Sequence, residues 1–353
     1  MSTFISELSD YNVIVCCGPG GVGKTTVSAS LATHFALNGR RVCVLTLDPA
    51  RRLADALGIA TVGNVPVHVA GITPGSLHAV MLDAEGTFDD LVDLYAQSPD
   101  QAASIKSNRL YKSLASSLSG TQEYMAMEKL YELTRSDRFD LVIVDTPPTR
   151  NALDLLDAPQ RMTSFLENKV FRALLTPTRA YLKVLSVATR ALVATIGKVA
   201  GAELLEDAIG FFQAFAGMEQ GFAQRAGEIQ ATLRSPETAF VLITSPRQDA
   251  VSEAQFFAER LSETGLAPAG VVANRVHPLF LSGDLPEAVA TSSGDLGELV
   301  ANAVALSQVA ENERAVLETL TTAVAPAPVL SLPLSGSAVN DVEGLTLLSQ
   351  QFS

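Results

Sequence analysis

The chain has 353 residues, 47% of them hydrophobic and 18% charged, a composition that supports a large packed core and excludes a disordered polypeptide. Its formal net charge of −13 disfavours an electrostatic grip on nucleic acid or on an anionic membrane surface. Its three cysteines, Cys16, Cys17 and Cys43, all lie in apolar runs and form neither a CxxC pair nor a disulfide set, so they read as small buried residues in a reducing compartment, with no zinc site.

From the N-terminus, MSTFISELSDYN carries Glu7 and Asp10 but no basic leader region. A strand is predicted at Val13–Cys17, then the stretch GPGGVGKTT, Gly18 to Thr26, then a helix from Lys24 to Leu37 that stops at Asn38-Gly39. Further strands are expected at Arg41–Leu47, Leu77–Leu82, Leu141–Asp145, Ala239–Thr244, Gly270–Asn274 and Pro328–Leu332, with a helix at Asp249–Glu263. These runs lack in/out alternation, as strands buried on both faces of a parallel sheet do. The expected fold class is α/β, a doubly wound, mostly parallel sheet.

Strand signals vanish between Thr87 and Arg135 and again from Asn151 to about Arg234, where apolar residues take helical spacing. Leu182, Leu185, Leu192, Ile196 and Val199 mark one face, and Phe211, Phe215, Met218 and Phe222 another. The most apolar segment, 180–205, is broken by Lys183, Arg190, Lys198 and Glu203, so no membrane span is expected and the protein reads as soluble and cytoplasmic. The expected organisation is a nucleotide-binding domain of residues 1–86, 136–150 and 235–353, with a helical subdomain of residues 87–135 and 151–234 inserted into it. Phe165, Leu166, Phe171, Leu174, Leu175, Phe211, Phe212, Phe215 and Met218 exceed what one helix stripe needs. They form either a closed core or subunit interface, or a groove for a hydrophobic protein client. The four histidines, His34, His68, His78 and His277, show no metal spacing and receive no chemistry.

The chemistry concentrates at strand ends. GPGGVGKTT fits the phosphate-binding pattern GxxxxGKS/T between a buried strand and a helix, where backbone N–H groups and the helix dipole meet phosphate oxygens. Gly18, Gly20, Gly21, Val22, Gly23, Lys24, Thr25 and Thr26 form the expected contact set. Lys24 is expected on the β- and γ-phosphates of ATP and the Thr25 hydroxyl on Mg²⁺. Asp48, ending the second strand, faces the same crevice and either orients and deprotonates an attacking water or begins a turn with Pro49. Asp145 ends an apolar strand in the Walker B manner and is expected to hold a water on the magnesium ion. Asn274 ends another strand. Guanine-specific relatives carry an Asp three residues after this position, where His277 stands here, so adenine is the expected base.

With these residues in place, the chain resembles the ArsA-related ATPases. That family includes the arsenite-pump motor, the ATPase of the guided-entry pathway for tail-anchored membrane proteins, and bacterial members. The resemblance runs through LTLDPARRLADALG, SGTQEYMAMEKLYEL, DTPPTRNALDLLDAP, FVLITSPRQDAVSEAQFFAERL, VVANRV and LSLPLSG. It implies a dimer closing around two ATP molecules, hydrolysis with Asp48 positioning water, switch segments at Asp48 and Asp145, and Pro333 and Leu334 flanking the adenine.

The chain also departs from the family. Pro19 stands at the position of the signature lysine, the zinc-binding CxxC and the arsenite-binding cysteines have no counterpart, and Thr149–Asn151 reads Thr-Arg-Asn where relatives have Thr-Gly-His. Three readings follow: an ATP-hydrolysing dimeric switch for a protein client, a nucleotide-binding regulatory partner of a paralogous ATPase, or the motor of an anion pump. The dimer is either a homodimer, with Arg51, Arg52 or Arg150 replacing the missing charge or with slow hydrolysis, or a heterodimer with a lysine-bearing paralogue.

Overall fold

The computed structural model describes residues 3–48, 52–60, 62–112, 121–147, 154–167, 202–281, 293–336 and 339–352. The chain divides into two compact units. One comprises Met1–Met81, Ser136–Leu153 and Pro236–Ser353, and the other Leu82–Arg135 and Asp154–Ser235.

The first unit is built on strands β1 (Val13–Cys17), β2 (Arg41–Thr46), β3 (Val67–Val69), β4 (Ser76–Met81), β5 (Leu141–Asp145), β6 (Thr238–Thr244), β7 (Pro268–Val276) and β8 (Val329–Pro333). They join one sheet in the order β3-β4-β2-β5-β1-β6-β7-β8. Every pairing is parallel except β3 with β4 at the edge. This is the expected α/β class. β3 was not foreseen, because a Val-His-Val run of three residues gives no period to detect, and its pairing sets His68 directly opposite His78. β1, β5 and β6 are buried along their whole length, which explains their unalternating sequences.

Helices α1 (Thr3–Leu8), α2 (Lys24–Leu37) and α3 (Arg52–Leu57) belong to this unit. Val27, Leu31 and Phe35 of α2 join Ile14, Ile143, Val241 and Val272 of the strands in one apolar core. The helix Val342–Ser349 near the end of the described residues packs on α2, where His34 Nδ1 donates to the Ser349 carbonyl at 3.0 Å. Strand order reverses around β1, so the C-terminal ends of β1, β5 and β6 border the crevice where open α/β sheets bind ligands.

In the second unit the helices Ala84–Tyr95, Pro99–Ser107, Thr121–Arg135, Asp154–Glu167, Ala202–Phe215 and Glu219–Leu233 are described. Phe222 is its aromatic hub, with ring centroids 5.1 Å from Phe215, 5.2 Å from Tyr95 and 6.3 Å from Phe88. Leu166, Phe211, Phe215, Met218 and Phe222 are buried here as core, while Phe165 is exposed. Phe171, Leu174, Leu175, Leu182, Leu185, Leu192, Ile196 and Val199 lie outside the described residues. A buried ion pair crosses the unit, Arg225 Nε donating to Glu128 Oε1 at 2.7 Å with the guanidinium 4.2 Å from the centroid of Tyr131. No described helix in the chain is long and apolar enough to cross a membrane.

Candidate nucleotide site

β1 ends at Cys17 and the chain turns sharply at Gly18, whose φ is +152°. A Cβ there would stand 2.0 Å from the Ile243 carbonyl oxygen of β6, so the loop leaves the sheet through a gap that only glycine fits. Gly23, at φ +92°, is the N-cap of α2 and makes no side-chain cap bond, leaving the first-turn N–H groups of α2 without a side-chain acceptor. Those donors and the positive helix end form an anion site. Gly21, Gly23, Lys24, Thr25, Thr26 and Asp48 all line one cavity of about 330 Å³ over this loop.

Lys24 is 6% exposed, and its ammonium donates to the carbonyl oxygens of Gly18 at 3.0 Å and Pro19 at 2.9 Å. Burial draws the Lys24 ammonium below its usual range, opposed chiefly by the Asp145 carboxylate. Thr25 Oγ1 donates to Asp145 Oδ2 at 2.7 Å, and Thr46 Oγ1 donates to the same oxygen at 3.0 Å. Strand register produces this convergence, for Asp145 is opposite Cys16 on β1 and Thr46 on β2. Asp145 Oδ1 is buried with no hydrogen-bond partner among the described residues. Burial pushes this carboxyl up to about 6, against the two threonine hydrogen bonds.

An orphaned carboxylate oxygen next to a threonine hydroxyl is a pair of hard oxygen donors, which suits Mg²⁺. Thr25 Oγ1 would bind the ion directly and Asp145 through a water. The ion would neutralise developing phosphate charge. Asp48 lines the same cavity, and its Oδ2 accepts from Arg52 Nη1 at 3.1 Å. The 49–51 and 148–150 segments, with Arg51 and Arg150, lie outside the described residues. Thr146, after β5, ties back to β1 through its Oγ1 donating to the Cys16 carbonyl at 2.8 Å.

Asn274, Pro333 and Leu334, expected at the base, make the following contacts in the protein itself. Asn274 is buried, and its amide donates to the Val22 carbonyl at 2.8 Å, so its side chain braces the phosphate loop from behind. Pro333 ends β8, and the Leu334 N–H continues the sheet edge by donating to the Val276 carbonyl at 2.9 Å. Leu334 lines a second cavity of about 380 Å³ at the loop, together with Pro19 and Gly20. Farther along the chain, Val339 and Asn340 line the loop cavity. These two residues, Thr46 and Arg275 were not foreseen. Thr46 could have been found as the strand-end hydroxyl level with the Walker acid, whereas Val339, Asn340 and Arg275 carry no spacing signal.

Fold and cavity together define a P-loop nucleotide-binding protein. The family model described as anion-transporting ATPase (ArsA-type) matches residues 11–353, and the chain belongs to that family. It is 37% identical over 155 residues to "ATPase ASNA1 homolog 1" of Paramecium tetraurelia, covering 43% of this chain and 45% of the relative. It is 31% identical over 269 residues to an uncharacterized protein of Streptomyces coelicolor, covering 75% and 62%. With "ATPase GET3" of Malassezia globosa it shares 27% over 264 residues, 74% and 72% of the two chains. The chain thus spans less than half of the first of these relatives and under two thirds of the second.

Asp145 supplies a test without nucleotide. A carboxyl raised to about 6 holds its proton more tightly folded than unfolded, so the metal-free protein loses stability as pH rises from about 3.8 to about 6. Above that window the buried charge is a burden. In chelator at pH 7.5, Asp145→Asn should raise unfolding stability by on the order of 2 kcal/mol, with the gain shrinking at pH 5. Urea denaturation at both pH values checks this, and equal stability of the two proteins at both would refute the buried-charge assignment.

Proposed function

We propose that the protein binds Mg–ATP over the Gly18–Thr26 loop, hydrolyses it, and works as a dimeric switch whose nucleotide state rearranges the helical unit for a hydrophobic protein client. The observation that carries the nucleotide part is the convergence of Thr25 and Thr46 on Asp145, with Lys24 and Asp48 on the same cavity. In this reading Lys24 leaves the Gly18 and Pro19 carbonyls for phosphate oxygens. Asp48, released from Arg52, takes a proton from water as that water attacks the γ-phosphorus, and ADP leaves as the bond to the β-bridging oxygen breaks. ATP is preferred to GTP because position 277 holds a histidine bonded to Glu313 and not an acid that could accept from a guanine amino group.

Hydrolysis is supported by family membership and by the ATPase names of the relatives. The dimer and the client are supported by the resemblance to the guided-entry ATPases, and a cytoplasmic location accords with both. An anion-pump motor for a soft metalloid is disfavoured, since all three cysteines are buried and burial pushes the Cys16 and Cys17 thiols well up. Pro19 favours one further reading, a regulatory subunit whose site is completed by a lysine-bearing paralogue.

Lys24→Ala should abolish Mg-dependent ATP binding, while Asp48→Asn keeps binding and loses turnover. A drop of less than about tenfold, roughly 1.4 kcal/mol of barrier, would leave Asp48 as a turn residue only. Calorimetric titration and phosphate release measure the two effects. For the client reading, hydrogen exchange in the helical unit should rise in one of the apo, ADP and ATP-analogue states, most tellingly at Phe211–Phe222. Identical protection in all three states would fix that block as static core. For the regulatory reading, turnover by the isolated protein should be slow and should rise when a lysine-bearing paralogue is added; fast turnover alone would dismiss it.

A further inference from the structure

Arg275 is the only described residue other than glycine with a positive φ, at 63°. Its strand, β7, is regular against β8 through Ala273 and then shifts register before Val276. Asn274 and Arg275 therefore occupy an irregularity of the kind that re-aims side chains beside functional sites. One neighbour, Asn274, turns inward onto Val22. The other, Arg275, turns outward, and its Nη1 donates to the Gly21 carbonyl at 3.2 Å. Its Nη2 lies 3.9 Å from where a Cβ on Gly23 would stand, next to the N-terminus of α2. Gly21 and Arg275 are also the two residues common to both cavities at the loop.

The cations on the loop cavity differ in how they are balanced. Lys24 rests on two carbonyls and Arg52 is paired with Asp48. Arg275 has no carboxylate partner among the described residues, and its single hydrogen bond there is to a loop carbonyl. Backbone strain at a bulky residue persists where the surroundings or a function maintain it. A guanidinium with most of its donors uncommitted, held over a phosphate loop, matches phosphate geometry.

We propose that Arg275 is a phosphate-binding residue of the nucleotide site, placing positive charge in cis over the loop whose second position, Pro19, supplies none. The inference rests on the nucleotide reading above and deepens it. Its ligand is the di- or triphosphate moiety, not the base. On binding, the guanidinium keeps or exchanges its Gly21 contact and directs its remaining N–H groups at phosphate oxygens.

The test uses the full chain with Arg275→Gly and Arg275→Lys, measuring ATP affinity, displacement of ATP by Mg–tripolyphosphate, and unfolding temperature without nucleotide. Glycine accepts φ near +63° without penalty, so the apo Arg275→Gly protein should melt at or above the temperature of the parent. It should bind ATP and tripolyphosphate each at least tenfold more weakly. The lysine variant should recover part of both, because it restores charge without the fork. Unchanged ATP affinity in Arg275→Gly would overturn the inference alone. So would weakened ATP binding with unchanged tripolyphosphate displacement, which would move Arg275 to the base, or a lowered apo melting temperature, which would make it a clamp for the loop. Failure of the unaltered protein to bind ATP would overturn the nucleotide reading and this inference with it.

Discussion

The structure of the site depends on one buried carboxylate. Asp145 ends β5 between β1 and β2, where the sheet register leaves its side chain no route to solvent. Two threonine hydroxyls from different elements, Thr25 at the start of α2 and Thr46 at the end of β2, both donate to Oδ2. This arrangement couples the loop helix to two strands while leaving Oδ1 unsatisfied. A buried acceptor without a donor is destabilising, and the raised proton affinity of the carboxyl is the same fact expressed as protonation. A divalent cation bound at Thr25, with its water on Oδ1, would satisfy both, and that is the role proposed above for this pair.

The loop itself is held by backbone geometry from several sides. Ile243 of β6 closes on Gly18, Asn274 of β7 supports Val22, and the gap at Gly23 is so narrow that a Cβ would stand 2.5 Å from the Asn274 amide nitrogen. The first-turn donors of α2 are thereby fixed in direction before any anion arrives. Such preorganisation removes an ordering penalty from binding. It also means that β7, three strands away from β5 in the sheet, helps to shape the phosphate cradle.

Most of the sheet was legible in the sequence because buried parallel strands are uninterrupted apolar runs and their C-terminal residues carry the chemistry. Val13–Cys17 and Leu141–Asp145 were read to the residue, and Asp145, Lys24 and Thr25 come together as their motifs require. What stayed hidden depends on long-range register. Nothing local announces that Asn274 turns back toward Val22, that β7 slips against β8, or that Leu334 lines one cavity at the loop and Asn340 the other. The apolar residues of the helical unit illustrate a second limit. Helical spacing identifies a buried face but not what covers it, and for Phe211, Phe215, Met218 and Phe222 the cover is the unit's own aromatic cluster.

Charge sets the remaining constraint. A protein of net charge −13 that accepts a polyphosphate must oppose its own long-range field with a local concentration of cations. The cavity holds Lys24, Arg52 and Arg275 against Asp48 and Asp55. Asp145, behind Thr25, adds a third negative charge when ionised and is the one a magnesium ion would offset. Arg52 is half spent on Asp48, and Lys24 is sequestered by the loop's own carbonyls. In the proposed reading each of these contacts would be exchanged for phosphate oxygens, an exchange that favours a ligand carrying several negative charges. Pro19, at the second loop position, brings neither charge nor N–H to this set and fixes φ there. The balance then falls on groups outside the motif, and among the described residues Arg275, at positive φ and without an acidic partner, is the cation placed to supply it in the reading proposed above.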